Sequence, residues 1–317
     1  LHSTSRRQRQ MCIRDRGIAV ILDMVFNQSD WQHPWYQMYP VGENPFYNAS
    51  APHAYSVLND WNQGYWLVQR QWHDVIRYWM EEYKVDGYRF DLVKGLGDND
   101  SYANAGDQAT NAYNASRVAR MRELQKVMET VRPDGYFINE NLAGAQEENE
   151  MASTGQLNWA NVNHESDQFA MGYQSESSLR RFYAPYDSRT LGSTVSYMES
   201  HDEQRLAYKQ DTYGAAGVKG NVEMSMRRLG STAAQMLMAP GAHMIWQFSE
   251  LGNYDNTKNS NGGNNTDPKP VRWNLLDNEY RHGLYDSYRA LIGIRNGNPE
   301  MLSLIHISEP TRRVVIS

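Results

Sequence analysis

The chain has 317 residues, 40% hydrophobic and 21% charged, with a formal net charge of −6 at pH 7. That size bounds it to one large domain or two modest ones, and the composition is that of a globular protein. No apolar run approaches the roughly 20 residues that a membrane-spanning helix needs, and the acidic balance is unsuited to nucleic acid or anionic membrane surfaces.

Both ends read as foreign to the gene. "MCIRDR" (11–16) can be encoded by ATG-TGT-ATA-AGA-GAC-AG, and the reverse complement of that string encodes "LSLIHI" (302–307) in frame. The wider stretches resemble translated sequencing adaptors. Residues 1–16 and 302–317 are therefore expected to be non-native, leaving 17–301 as the informative chain. The first carries +4 and the last +1, so the segment between them carries −11. Cys12, the one cysteine, falls in the first stretch, so 17–301 holds no disulfide, thiol nucleophile or cysteine metal site.

In chain order, "GIAVILDMVFN" (17–27) reads as a continuous apolar strand, and a loop rich in Pro, Asn and aromatics runs from 28 to about 63. "YWLVQRQWHDVIRYWMEEYK" has helical periodicity, with Trp66, Arg70, Trp72 and Ile76 expected along one packed side. A strand in "VDGYRFDLVKG", a helix in "ASRVARMRELQKVMETV" and a strand in "GYFINEN" follow. After a polar stretch and a short apolar piece at "QLNWANV", "SSLRRFYA" looks helical and "STVSYMESHD" is a strand. A helix in "VEMSMRRLGSTAAQMLMA", a strand in "AHMIWQF" and a last helix in "YRHGLYDSYRALIGIRN" come last. Such alternation implies parallel strands with right-handed crossovers, in a barrel or a doubly wound sheet. No glycine-rich phosphate loop follows a strand, which weighs against a dinucleotide site.

Four acids mark the strand ends. Asp23, Asp91, Glu140 and Asp202 each fall at or near the C-terminal end of a different strand, where β/α barrels carry their catalytic groups. Arg89 and Asp91 share one strand face, with Tyr88, Phe90 and Leu92 on the other. That pair is either structural or an arginine keeping a carboxylate ionised.

"DMVFNQ", "GYRFDLVKG", "INEN" and "MESHD" resemble, in order, the four short conserved regions of the α-amylase family of glycoside hydrolases, with "MIWQFSELG" and "KPVRWN" in support. The resemblance implies an α/β fold, a (β/α)8 TIM barrel present from about strand 3 to strand 8, with 28–63 a small domain inserted after strand 3. It further implies retaining cleavage of α-glucosidic bonds, α-1,4 being expected, in starch-like glucans. Carried over by position, Asp91 is the nucleophile, Glu140 the general acid/base and Asp202 the transition-state stabiliser. Retaining chemistry sets two carboxyl groups about 5–5.5 Å apart, one attacking and one protonating the leaving oxygen. Arg89 suits the task of keeping Asp91 ionised, and a less charge-compensated, desolvated site is expected for Glu140. Asp23, Gln28, Lys94 and His201 are expected around the substrate, with Trp31, Trp35 and Tyr36 as sugar platforms.

The chemistry needs no cofactor. Asn27 matches the family's calcium-binding asparagine, but Gly95 stands where many members have a histidine whose carbonyl helps hold the ion, so a structural calcium stays open. Gln28 replaces a common histidine. The first two strand–helix units and the C-terminal β-domain of the family are absent, so the chain is expected to be an interior fragment, inactive alone, of a secreted or surface enzyme. An α-glucosidase or glucanotransferase of the same family, a non-catalytic carbohydrate-binding homologue, and an unrelated Mg²⁺-dependent barrel enzyme remain as alternatives. Oligomeric state is not legible.

Overall fold

In the computed structural model, residues 12–298 are described, so the expected foreign tail 302–317 and most of 1–16 lie outside the described residues. Two compact units divide them, one ending at Trp159 and the other beginning at Ala160.

In the first unit, β1 (Ile21–Met24) is shorter than its apolar run. A two-residue antiparallel ribbon, β2 (Gln28–Ser29) with β3 (Asn59–Asp60), follows it. Helix α1 (Trp66–Tyr83) ends at Lys84, whose left-handed conformation returns its N–H to the Met80 carbonyl. Its buried stripe is Val68, Trp72, Ile76 and Met80, one residue per turn. Trp66 and Arg70 therefore do not share the packed side with Trp72 and Ile76 as expected: Trp66 is 60% exposed, because it lies two positions from Val68 and so well round the helix.

Strand β4 (Gly87–Phe90) pairs in parallel with β1 and with β5 (Tyr136–Asn139). Tyr88 and Phe90 are fully buried, and the Tyr88 hydroxyl donates to the Ile76 carbonyl at 2.6 Å. Phe26 stacks on Trp72 at 4.9 Å, and Phe90 lies 4.6 Å from Phe137. Burying such side chains is worth about 1.5–3 kcal/mol each. Gly87 is required here, since a Cβ would meet the Tyr136 carbonyl oxygen at 2.3 Å. Between β4 and β5 runs α2 (Ala115–Val131), capped by Asn114, whose side chain accepts from Arg117 N. The polar stretch after β5 contains α3 (Ala145–Ala152), and "QLNWANV" forms β6 (Leu157–Asn161), in parallel register with β5 through Ile138–Leu157.

Residues 28–63 hold an aromatic cluster in which Tyr47 stacks on Trp61 at 4.1 Å and Trp35 lies 4.4 Å from Phe46. Trp35 and Tyr36 are part of that packing rather than open sugar platforms. Trp31, 60% exposed, keeps that role open.

In the second unit, α4 (Asn163–Met171) precedes β7 (Thr194–Tyr197), which pairs in parallel with β8 (Ala242–Met244). "SSLRRFYA" forms only a 3-10 turn at Leu179–Phe182. Helices α5 (Leu206–Tyr213), α6 (Val222–Met238) and α7 (Glu279–Gly297) complete the unit. Its core gathers Phe182, Met198, Leu229, Met236, Leu284 and Tyr288. Within β7 and β8, Ser196 Oγ is 2.7 Å from His243 Nδ1, and His243 Nε2 is 2.9 Å from the Ala239 carbonyl. Burial, followed by the charge of Arg295, pushes the His243 pKa down to about 4. Among the described residues, no helix is long and apolar enough to cross a membrane.

Candidate active site

Strand register assembles the site of the first unit. Asp23 stands level with Arg89, and Met24 with Phe90 and Asn139. The next residues on β4 and β5, Asp91 and Glu140, are held level by Asp91 N–H to the Met24 carbonyl and Glu140 N–H to the Phe90 carbonyl, both 2.9 Å. Three adjacent parallel strands thus place three carboxylates around one guanidinium.

Arg89 is 6% exposed. Its Nη1 donates to Asp91 Oδ1 at 2.7 Å and to Asp23 at 2.8 and 3.1 Å. Its Nη2 lies 2.8 Å from Glu140 Oε2, and the guanidinium sits 4.1 Å above the Trp159 ring. Burial alone would push the arginine pKa down, but the carboxylates of Glu140, Asp23 and Asp91 more than offset it, so the pKa is raised and the charge is secured. Glu140 Oε2 also accepts from Leu92 N–H at 2.9 Å. Leu92 adopts φ 45°, the left-handed region uncommon for such a residue, and this turns the chain after Asp91 so that its amide meets Glu140. The expectation of a less charge-compensated Glu140 is overturned. Because Glu140 follows the strand beside Arg89, it shares that cation with Asp91.

The other expected residues are placed variously. The side chain of Asp23 is 55% exposed. Gln28 is buried, with Oε1 accepting from Asn27 Nδ2 at 2.7 Å, which commits one end of the side chain away from any ligand. Lys94 Nζ lies 5.0 Å from the Tyr55 ring centroid, and burial lowers its pKa. In the second unit, His201 Nε2 is 3.5 Å from Asp202 Oδ2. Asn264 Nδ2 donates to Asp202 Oδ1 at 3.0 Å.

Three features escaped the sequence reading. Trp159 backs Arg89. Buried Arg117 pairs with Glu147 at 2.7 Å while donating to the Lys94 carbonyl at 2.9 Å, which braces the turn after Asp91. Buried Glu199 accepts from Leu206 N–H at 2.6 Å and lies 3.3 Å from Arg205 Nη1, anchoring the loop that carries His201 and Asp202. The glutamate inside "MESHD" was the available signal in the last case.

A structural calcium does not fit. Asn27 Oδ1 is a buried oxygen with no hydrogen-bond partner, as a cation site would leave it. Yet His53 Nε2 pairs with Asp60 Oδ1 at 3.0 Å, and a Cβ at Gly95 would meet Asn27 Oδ1 at 1.7 Å and His53 Nε2 at 2.7 Å. An imidazole thus neighbours Asn27 Oδ1 and occupies the Asp60 carboxylate, whereas a hard cation takes six to eight oxygens. Among the described residues no group of three or more His, Cys, Asp or Glu could hold a metal ion.

Residues 47–283 match the alpha-amylase catalytic-domain family. The chain is 24% identical to a glycogen debranching enzyme of Erwinia tasmaniensis, over 91% of this chain and 48% of that protein. It therefore spans about half the length of the curated relatives it matches. Among solved structures, type I pullulanase from Bacillus subtilis aligns with a TM-score of 0.63 at 18% identity, over 92% of this chain and 42% of that one. A cyclic alpha-maltosyl-(1→6)-maltose hydrolase from Arthrobacter globiformis aligns at 0.62 and 18% identity, over 91% and 61%. At such identity the likeness establishes fold: α/β, part of a (β/α)8 barrel.

Proposed function

Since the chain belongs to the alpha-amylase catalytic-domain family, we propose that its full-length protein hydrolyses α-glucosidic bonds of starch- or glycogen-like glucans by a retaining double displacement. The observation that carries this reading is the buried Arg89 bound at once to Asp91 and Glu140 at the ends of adjacent parallel strands. Asp91, oriented by its hydrogen bond from Arg89, attacks the anomeric carbon while Glu140 protonates the departing glycosidic oxygen. Water then attacks the glycosyl–Asp91 ester as Glu140 takes its proton. Asp202 stabilises the positive charge that develops on the sugar ring in both steps. Arg89 and Leu92 N–H fix the orientation of the Glu140 carboxyl, which serves proximity rather than acidity.

The linkage is a separate question. The α-1,4 cleavage expected from the motifs competes with branch-point cleavage, which the name of the debranching relative favours. Amylose offers only α-1,4 bonds and pullulan adds α-1,6 bonds between maltotriose units. Maltotriose as the sole product from pullulan, with amylose intact, supports branch-point cleavage; shortened amylose supports the α-1,4 reading. NMR of the first product formed reads the stereochemistry: the α-anomer is expected, and a β-anomer would overturn the retaining mechanism.

A further inference from the structure

The polar segment 256–265 has no role in the reading above, yet it is tied to the Asp202 loop residue by residue. Lys258 and Asn264 form an antiparallel bridge closed by a turn in which Asn259 N–H donates to the Gly263 carbonyl at 2.9 Å. Gly262, at φ 80°, supplies the left-handed step of that turn. Asn264 Nδ2 donates to Asp202 Oδ1 at 3.0 Å, and Lys258 Nζ donates to the Asp202 carbonyl at 2.8 Å. Lys258 Nζ also donates to Asn264 Oδ1, so one side chain orients the other. Thr257 Oγ1 donates to the Glu203 carbonyl at 2.9 Å, and Thr257 N–H to Gln204 Oε1 at 3.0 Å. Three successive residues, 202 to 204, are thus gripped by one small hairpin.

We infer that Asn264, oriented by Lys258, is a positioning residue that sets the direction of the Asp202 carboxylate. This rests on the role proposed above for Asp202. The side chain of Asp202 is 45% exposed, so packing alone does not fix its rotamer. His201 approaches one oxygen at 3.5 Å and Asn264 bonds the other at 3.0 Å, the closer of the two contacts. Asn264 is itself exposed, so replacing it leaves the core of the unit intact.

The test uses the full-length enzyme on a soluble maltooligosaccharide. Asn264→Ala is expected to lower kcat about 10- to 100-fold, the scale of a misplacement of roughly 1 Å, with KM within about twofold and an unchanged melting temperature. Asn264→Asp places a second carboxyl against Asp202. In its protonated form that carboxyl can donate the missing hydrogen bond and in its ionised form it repels, so the activity optimum moves to lower pH. A merely structural hairpin would not move that profile. Wild-type kcat in Asn264→Ala, or an unshifted profile in Asn264→Asp, overturns the inference. Asp202→Asn separates the two readings, since retained activity there would instead sink the role given to Asp202.

Discussion

Arg89→Met removes the cation on which three carboxylates converge while keeping most of the side-chain volume. Two of the three partners are largely buried, with side-chain exposures of 20% for Asp91 and 14% for Glu140, whereas Asp23 is 55% exposed. Removing one partner of a buried pair costs about 3–5 kcal/mol, because the other charge is left unpaired. The contact to half-exposed Asp23 adds at most about 1 kcal/mol after solvent screening, and the lost stacking on Trp159 a similar amount. These contributions share one guanidinium and do not sum, so about 4 kcal/mol at pH 7 is expected. At roughly 2–4 °C per kcal/mol for a domain of this size, the melting temperature falls by about 10 °C. Thermal unfolding at pH 7, beside glucan turnover, provides the assay. A melting temperature within 2 °C (about 1 kcal/mol) of wild type at pH 7 would refute the hub.

Glu140→Gln should lose about 10²–10⁴-fold on starch but far less on a glycoside whose leaving group departs without protonation; equal losses on both would remove Glu140 from the acid role. His243, neutral in the fold with a pKa near 4 against the reference 6.5, takes up a proton on unfolding. Its contribution is therefore present above about pH 6.5 and is lost as pH falls toward 4, by up to about 3 kcal/mol. His243→Asn should flatten that part of the stability-versus-pH curve measured by denaturant titration, and an unchanged slope would exclude it. Gly95→Ala, whose methyl meets Asn27 and His53, should destabilise by about 1–3 kcal/mol. Chelation should leave the wild-type melting temperature where it is, and a chelator-induced drop would restore the calcium reading.

The strands and long helices were legible because their patterns are strong: "GYRF" is a buried run, "YFIN" alternates buried and half-buried residues, and α2 keeps its bounds through a side-chain cap at Asn114. What failed was azimuth and polarity. The α1 stripe was misjudged at Trp66 because an aromatic residue was taken as a packing signal when Val68 set the buried row. α3 looked like a polar stretch because Glu147 and Glu148 are nearly fully buried, which hydrophobic pattern cannot report, and α4 went unread. The four acids announced themselves by their place at strand ends, and the Arg89–Asp91 contact followed from a two-residue spacing. Arg89 with Glu140 needs the register of neighbouring strands, and Asn264 with Asp202 needs a hairpin written entirely in polar residues. Neither is local in sequence.

Trapping the covalent intermediate identifies the nucleophile. A fluorinated α-glucosyl fluoride forms the glycosyl–enzyme ester but slows its hydrolysis, so mass spectrometry of the intact protein and its peptides locates the nucleophile. One added fluoroglycosyl group is expected, on the peptide containing Asp91, and no label on Asp91→Asn. Label on another residue, or full turnover by a folded Asp91→Asn protein, would contradict it.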